Sequence, residues 1–205
     1  GAIAVSDTFR IHGVKRERME TIKMPTFIVI CGTSGSGKTY VTQRLIDAYG
    51  LKPVLSAEMS PPLTGREGPY AYVRNNVCVA GRYNTGLEHG SSGDVKNQLF
   101  ADVLAQCVQR ADVVVTQGLT VGKSNVVWDL VRGLVPGARV IFAYLDTSYE
   151  QCLENIYTRR ARSKTPRVKP LKEKAVLQDW RTNRSQRERF TREGKLVRDI
   201  RHGPH

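Results

Sequence analysis

Gly32-Thr33-Ser34-Gly35-Ser36-Gly37-Lys38-Thr39, in one-letter code GTSGSGKT, decides the fold of this 205-residue chain. It meets the pattern G-x-x-x-x-G-K-[ST]. The run before it, TFIVIC (Thr26–Cys31), is continuous, apolar and rich in β-branched residues, and Pro25 and Gly32 bound it. That composition predicts a buried strand. The run after it, Lys38–Tyr49, spaces Val41, Leu45, Ile46 and Tyr49 as one face of a helix, and Gly50 stops it. Glycines at 32, 35 and 37 let the backbone curl its N–H groups around phosphate oxygens, and the positive end of the helix points at the same oxygens. Gly32, Thr33, Ser34, Gly35, Ser36, Gly37, Lys38, Thr39 and Tyr40 are therefore the expected ATP-binding set. Lys38 supplies a cation to the β and γ oxygens. The Thr39 hydroxyl suits Mg²⁺, which keeps most of its water and takes few protein ligands.

Outward from this segment, strand and helix patterns alternate. Pro53–Leu55 is a brief second strand, residues 60–68 a proline- and glycine-rich loop, and Asn76–Ala80 a third strand. A long polar loop over Arg82–Gly93 follows, and loops of that length inside a compact domain are usually functional. Asp94–Arg110 spaces Val95, Leu99, Val103, Cys107 and Val108 as an amphipathic helix. Asp112–Thr116 is a buried strand, Ser124–Leu134 a helix, Arg139–Leu145 a strand, and Ser148–Arg160 a helix with Cys152, Leu153, Ile156 and Tyr157 facing inward. A basic loop over Arg159–Lys169 leads to a charged helix over Leu171–Arg192, anchored by Leu171, Ala175, Trp180 and Phe190, and Lys195–Ile200 adds a last strand. The expected fold class is α/β, a parallel sheet with flanking helices of the P-loop kind. Residues 1–24 form a partly flexible lead-in, and 25–205 one domain whose lid and C-terminal helix span 159–192.

The net charge of +13 is uneven. From Arg159 to the end, 16 Lys and Arg stand against 5 Asp and Glu. That excess on a near-neutral body points to a polyanionic partner. The four cysteines, Cys31, Cys78, Cys107 and Cys152, have no zinc or redox spacing and are expected as buried small hydrophobes in a reducing cytoplasm. No apolar run approaches the roughly 20 residues that cross a bilayer. The opening GAIAVSDTFR lacks a basic segment followed by an apolar one, so the expected location is cytoplasmic and no membrane partner is expected.

A phosphate loop alone separates neither kinases from ATPases nor either from switches. Three features favour a kinase. Leu145-Asp146-Thr147 closes a strand, and the following helix runs into Arg159, Arg160 and Arg162, a basic lid suited to charge on a transferring phosphoryl group. The chain is too short for a second mechanical domain. No NKxD-type guanine-reading sequence is present.

GTSGSGKT, the loop Gly81-Arg82-Tyr83-Asn84-Thr85-Gly86 continuing to Ser92-Gly93-Asp94, the strand VVVTQGL, and Tyr144-Leu145-Asp146-Thr147 with Cys152 and Arg159-Arg160 together carry a family likeness. From about Phe27 to about Arg192 the chain resembles the phage P-loop kinases that phosphorylate 5-hydroxymethyl-deoxyuridine within DNA, on the way to hypermodified thymidines. Polynucleotide kinases belong to the wider group. The resemblance implies ATP and Mg²⁺ as cofactors, DNA as partner, a base hydroxymethyl group as acceptor, and the host cytoplasm as location. A DNA-level acceptor agrees with the basic C-terminal quarter, and chemistry on a base requires that the base be extruded and stacked. Arg82, Tyr83, Arg181, Arg184 and Arg187 are the expected substrate and DNA contacts. Asp94 matches the family's loop aspartate and is the expected base for the acceptor hydroxyl, with Glu58 as the alternative and Glu88 and His89 behind them. The family usually has an acid after the strand that here ends in Gln117. Rival activities are a polynucleotide 5′-hydroxyl kinase, a nucleoside monophosphate kinase, and a non-catalytic module whose DNA binding depends on ATP.

Overall fold

The computed structural model describes residues 24–59, 62, 68–83, 97–117, 132–133, 135–163 and 169–201. The expected lead-in, the loop carrying Glu88, His89 and Asp94, Pro166 and nearly all of the expected helix over 124–134 lie outside them. The strands are β1 (Thr26–Cys31), β2 (Lys52–Leu55), β3 (Pro69–Arg74), β4 (Val77–Ala80), β5 (Val113–Gln117), β6 (Arg139–Leu145) and β7 (Leu196–Ile200). The helices are α1 (Lys38–Ala48), α2 (Asn97–Arg110), α3 (Tyr149–Ala161) and α4 (Glu173–Arg192).

The strands form one sheet in the order β2-β3-β4-β5-β1-β6-β7. From β4 to β7 every neighbouring pair is parallel, so the carboxyl ends of β1, β5, β6 and β7 lie along one edge. The sheet is mostly parallel, as expected, and becomes mixed only at its β2–β4 edge. β3 pairs antiparallel with both β2 and β4, and the β3–β4 turn is tight enough to hold Asn75 at φ 53°. Asparagine tolerates that left-handed geometry better than most residues. Pro69 sits at the first residue of β3, where its missing N–H costs least.

Side-chain alternation along β1 divides the core. Phe27, Val29 and Cys31 face Val114, Val140, Phe142 and Tyr144 together with Val103, Leu104 and Cys107 of α2 and Phe190 of α4. Ile30 faces the other way, with Val79, Val115, Leu145 and Ile46 of α1. Full burial of an aliphatic or aromatic side chain of this size stabilises by about 1.5–3 kcal/mol. Phe142 and Phe190 meet with ring centroids 4.6 Å apart and planes inclined by 52°, and so fix α4 across β6. All four cysteines are buried free thiols. Several expected anchors face solvent instead: Tyr49, Tyr157 and Ala175 are exposed, and α4 rests on Val176, Asn183, Gln186 and Phe190. Among the described residues no helix is long and apolar enough to cross a membrane.

Candidate active site

Between β1 and α1 the chain turns through Gly35 at φ 79° and Gly37 at φ 97°, and Gly37 is the N-cap of α1. A side chain at 35 would meet more than strain. Its Cβ would fall 2.3 Å from the Cys152 carbonyl oxygen of α3, on top of about 1–2 kcal/mol for left-handed backbone. The loop is pinned from outside. The Thr147 hydroxyl donates to the Ser36 carbonyl at 2.9 Å, and Asn155 Nδ2 donates to the Gly35 carbonyl at 2.8 Å. The end of β6 and the first turns of α3 thus hold the loop in shape before any ligand arrives.

Lys38 folds back into this loop. Its Nζ donates to the carbonyls of Gly32 at 2.7 Å and Thr33 at 2.8 Å. Loss of water around the ammonium is the main reason its pKa is pulled down to about 8, and the charge of Arg159 pushes the same way. The thiols of Cys31 and Cys152 and the Asp179 carboxylate push back. Arg159, at the end of α3, is therefore close enough to act on the lysine electrostatically. Arg160 donates to the Lys169 carbonyl at 3.0 Å, and Arg162 caps α3 exposed to solvent.

Gln117, at the end of β5, lies beside Ile30 of β1 and is 2% exposed. Its Nε2 donates to Thr39 Oγ1 at 3.2 Å, and its Oε1 accepts from the Thr42 hydroxyl at 2.8 Å. The amide thus binds the one side chain of α1's first turn that suits a hydrated divalent cation. Among the described residues no three His, Cys, Asp or Glu cluster as metal ligands. A cation here would rest on the Thr39 hydroxyl, on water and on the nucleotide's own phosphates, a donor set that fits Mg²⁺.

Other expected site residues fall elsewhere. Glu58 does not approach the loop. It follows β2, four strand spacings from β1, roughly 19 Å across the sheet. Its carboxylate accepts the Leu55 amide at 2.7 Å, and its carbonyl is held by Arg110 at the end of α2. Tyr83 is 1% exposed and packs in the core with Ile46, Leu51 and Tyr72, so it offers no face to a base. Arg82 lies 5.1 Å from the centroid of the Tyr70 ring. Arg187 is bound through two nitrogens to the Asp199 carboxylate, which raises the pKa of the arginine and lowers that of the acid. Arg184 lies 4.7 Å over the Trp180 ring, and Arg181 is exposed. Asn155, Asp179 and Asn183 were not foreseen, whereas Thr147 was quoted for the family likeness and Trp180 as a helix anchor, neither with the contact it makes here. A polar side chain on an otherwise buried stripe, Asn183 between Val176 and Phe190, is the one signal the sequence held for them.

No protein-family model matches the chain. Among curated proteins it is similar to a 5-hmdU DNA kinase of Pseudomonas phage M6, with 27% identity over 180 residues that span 85% of this chain and 90% of the relative. Among solved structures it aligns with a gluconokinase from Sinorhizobium meliloti 1021, at 15% identity and a TM-score of 0.41. It also aligns with a shikimate kinase from Acinetobacter baumannii in complex with shikimate, at 16% identity and a TM-score of 0.43. Each alignment covers 89% of this chain and 86% of the other. At such scores the fold rests on the chain's own strand order and phosphate loop. Over most of its length this chain is similar to a phage 5-hmdU DNA kinase, and its strand order and phosphate loop are those of a P-loop fold.

Proposed function

We propose that the protein transfers the γ-phosphate of ATP to the hydroxymethyl group of 5-hydroxymethyluracil in DNA. The observation that carries the phosphoryl transfer is the pinned loop with the Lys38 ammonium already folded onto it. The acceptor comes from what the phage relative is named for, and the basic C-terminal quarter supports a DNA-level substrate.

Lys38 leaves its two carbonyls for the β and γ oxygens, and the loop amides from Gly32 to Thr39 hold the rest of the triphosphate. The Thr39 hydroxyl would hold Mg²⁺, which when bound would supply charge neutralisation for the triphosphate. Arg159, with Arg160 and Arg162 beyond it, closes over the transferring group. The acceptor oxygen forms a bond to the γ phosphorus as the bond to the bridging oxygen of ADP breaks, and the hydroxyl proton leaves to a base. Asp94 remains the proposed base.

The test is incubation of the protein with γ-labelled ATP and three acceptors: hydroxymethyluracil duplex, the same duplex with thymine and free 5′-hydroxyls, and free nucleotides. Label is expected on the first alone and should vanish in Lys38→Ala. Label confined to 5′ ends or free nucleotides would move the reading to the rival kinases. An amide at 117 favours a second reading, ATP-dependent DNA binding without transfer. That reading predicts no labelled acceptor but DNA retention that needs ATP.

A further inference from the structure

A cavity of about 230 Å³ opens beside the first residues of the phosphate loop, between the ends of β6 and β7 and the middle of α4. Gly32, Thr33 and Ser36 form one wall, and Trp180, Asn183 and Arg184 form the facing one. Two wall atoms are buried without a hydrogen-bond partner among the described residues: Thr33 Oγ1, on a residue 2% exposed, and Asn183 Oδ1, on a residue 6% exposed. Asn183 spends its Nδ2 on the Asp179 carbonyl at 2.9 Å, which leaves Oδ1 as the free acceptor of that amide. A buried acceptor left unpaired is costly, so the cavity suits a ligand that brings a hydrogen-bond donor, such as the N–H of a flat ring.

The remaining wall says what kind of ligand. Trp180 is fixed by its indole N–H on the Thr147 carbonyl at 3.0 Å, and the Arg184 guanidinium lies over its ring. This is a rigid planar surface of the sort on which bases stack. The wall facing the loop offers no surplus of positive charge for a further phosphate. Arg184 and Arg187 face three carboxylates, Asp146, Glu188 and Asp199, and Arg187 is already neutralised by Asp199. A neutral, flat, N–H-bearing group beside a phosphate loop is a nucleobase.

Position chooses between the two bases present during the reaction. The cavity meets the loop at Gly32 and Thr33, whose carbonyls hold the Lys38 ammonium. That ammonium marks the β and γ phosphates. The base of the nucleotide lies beyond the α-phosphate and a ribose. We propose that the cavity takes the acceptor base, a pyrimidine extruded from DNA, with its imide N–H on Asn183 Oδ1 and its ring against Trp180 and Arg184. The inference rests on the kinase reading above and supplies the site of acceptor recognition.

The chain has two tryptophans, so Trp128→Phe leaves Trp180 as the sole reporter. An oligonucleotide with one hydroxymethyluracil should quench its emission. The same oligonucleotide with an abasic site at that position should bind without quenching, and ATP alone should leave emission unchanged. Asn183→Leu should raise KM for the DNA acceptor about tenfold, the loss of roughly one buried hydrogen bond, while KM for ATP stays within about twofold. Asn183→Ser, a smaller change, should follow in the same direction, and thermal melting of both variants checks the fold. Quenching by ATP and not by the base, equal quenching by the abasic oligonucleotide, or an Asn183 effect on ATP alone would overturn the proposal. The outcomes separate: a protein that labels no DNA fails the kinase reading, whereas the comparison of base with abasic oligonucleotide judges the cavity by itself.

Discussion

The Lys38 ammonium is held by two carbonyls with little water around it, and its pKa stands at about 8 in the free protein. Phosphate oxygens favour the charged form and raise that pKa on binding. Nucleotide affinity is therefore full below about pH 8 and falls as pH rises past it, by up to about tenfold per unit. Calorimetry with a non-hydrolysable ATP analogue from about pH 7 to about pH 9.5 should trace this fall, and Lys38→Met should flatten it at weaker affinity. A flat wild-type curve would remove the ammonium from the site. Stability of the free fold moves the other way. Between about 8 and the unfolded lysine's 10.5 the unfolded chain holds the proton that the native one gives up, so stability rises with pH across that window. Gln117 raises a different question, since an amide stands where the likeness read from the sequence implies an acid. Thr42 has one hydroxyl proton and two acceptors within reach, Gln117 Oε1 at 2.8 Å and the Lys38 carbonyl at 2.9 Å. A half-turn of the amide lets Thr42 donate to Lys38, gives Thr42 Oγ1 a donor in Nε2, and turns Oε1 to accept the Thr39 proton. Thr39 Oγ1 then no longer accepts from Gln117 and can present that lone pair to a cation. An amide can thus orient the metal-binding hydroxyl as a carboxylate would, without the carboxylate's charge. Gln117→Met should abolish most of the gain in nucleotide affinity that Mg²⁺ confers, about tenfold, and leave metal-free affinity nearly unchanged. Survival of the Mg²⁺ gain in that variant would reduce Gln117 to a structural tie between β5 and α1.

At the scale of elements, the strands nearest the loop were the easiest to read, because strands buried on both faces are written as unbroken apolar runs. TFIVIC, DVVVT and RVIFAYL need no partner to be recognised, and the structure has them as three adjacent parallel strands. β3 was missed for the opposite reason. PYAYVR opens on proline, directly after a proline- and glycine-rich stretch, and only the Asn75-Asn76 pair marks the turn that folds it onto β4. Helix existence was legible and helix orientation less so. Tyr49 caps α1 and Tyr157 follows the buried Ile156 on α3, about 100° further round the helix, yet both face water. On α4, the residues one turn and two turns from Phe190 are Gln186 and Asn183, amides where a core helix would carry leucine. They have separate tasks: Gln186 takes the Tyr144 hydroxyl at 2.8 Å, and Asn183 turns its oxygen to the cavity. The phosphate loop was fully legible since its chemistry is local. Glu58 was misplaced since distance from β1 depends on strand order, which no local pattern encodes. The ties through Thr147 and Asn155 were invisible since they join residues more than 100 positions apart.

On the scale of the whole molecule, the positive charge is concentrated in the last quarter, but its arginines are not equivalent. Of those that line the cavity, Arg187 is paired with Asp199 and Arg184 lies over the Trp180 ring, while Glu193 is shared by Lys195 at 2.9 Å and Arg189 at 3.7 Å. Arg181 and Arg192 are exposed on α4, and Arg162 is exposed at the end of α3. A DNA backbone held by this surface would release counterions in proportion to the phosphates contacted, and each contact contributes about 0.9 to the slope of log affinity against log salt on a duplex. Replacing Arg181 and Arg192 together by glutamine should lower that slope by roughly 1–2 and weaken binding to all sequences alike, with ATP affinity unchanged. Arg187→Gln should behave differently. It frees Asp199 at a half-exposed pair worth at most about 1 kcal/mol, so thermal stability should drop slightly while the salt slope holds. Filter binding to a duplex across a salt series measures both. A slope that falls as much for Arg187→Gln as for the double variant would place the DNA backbone across the cavity mouth. An unchanged slope in the double variant would take it off the outer face of α4. The charge pattern thus predicts a division of labour within one helix, with phosphates tracked along its outer side and a single base admitted along its inner one.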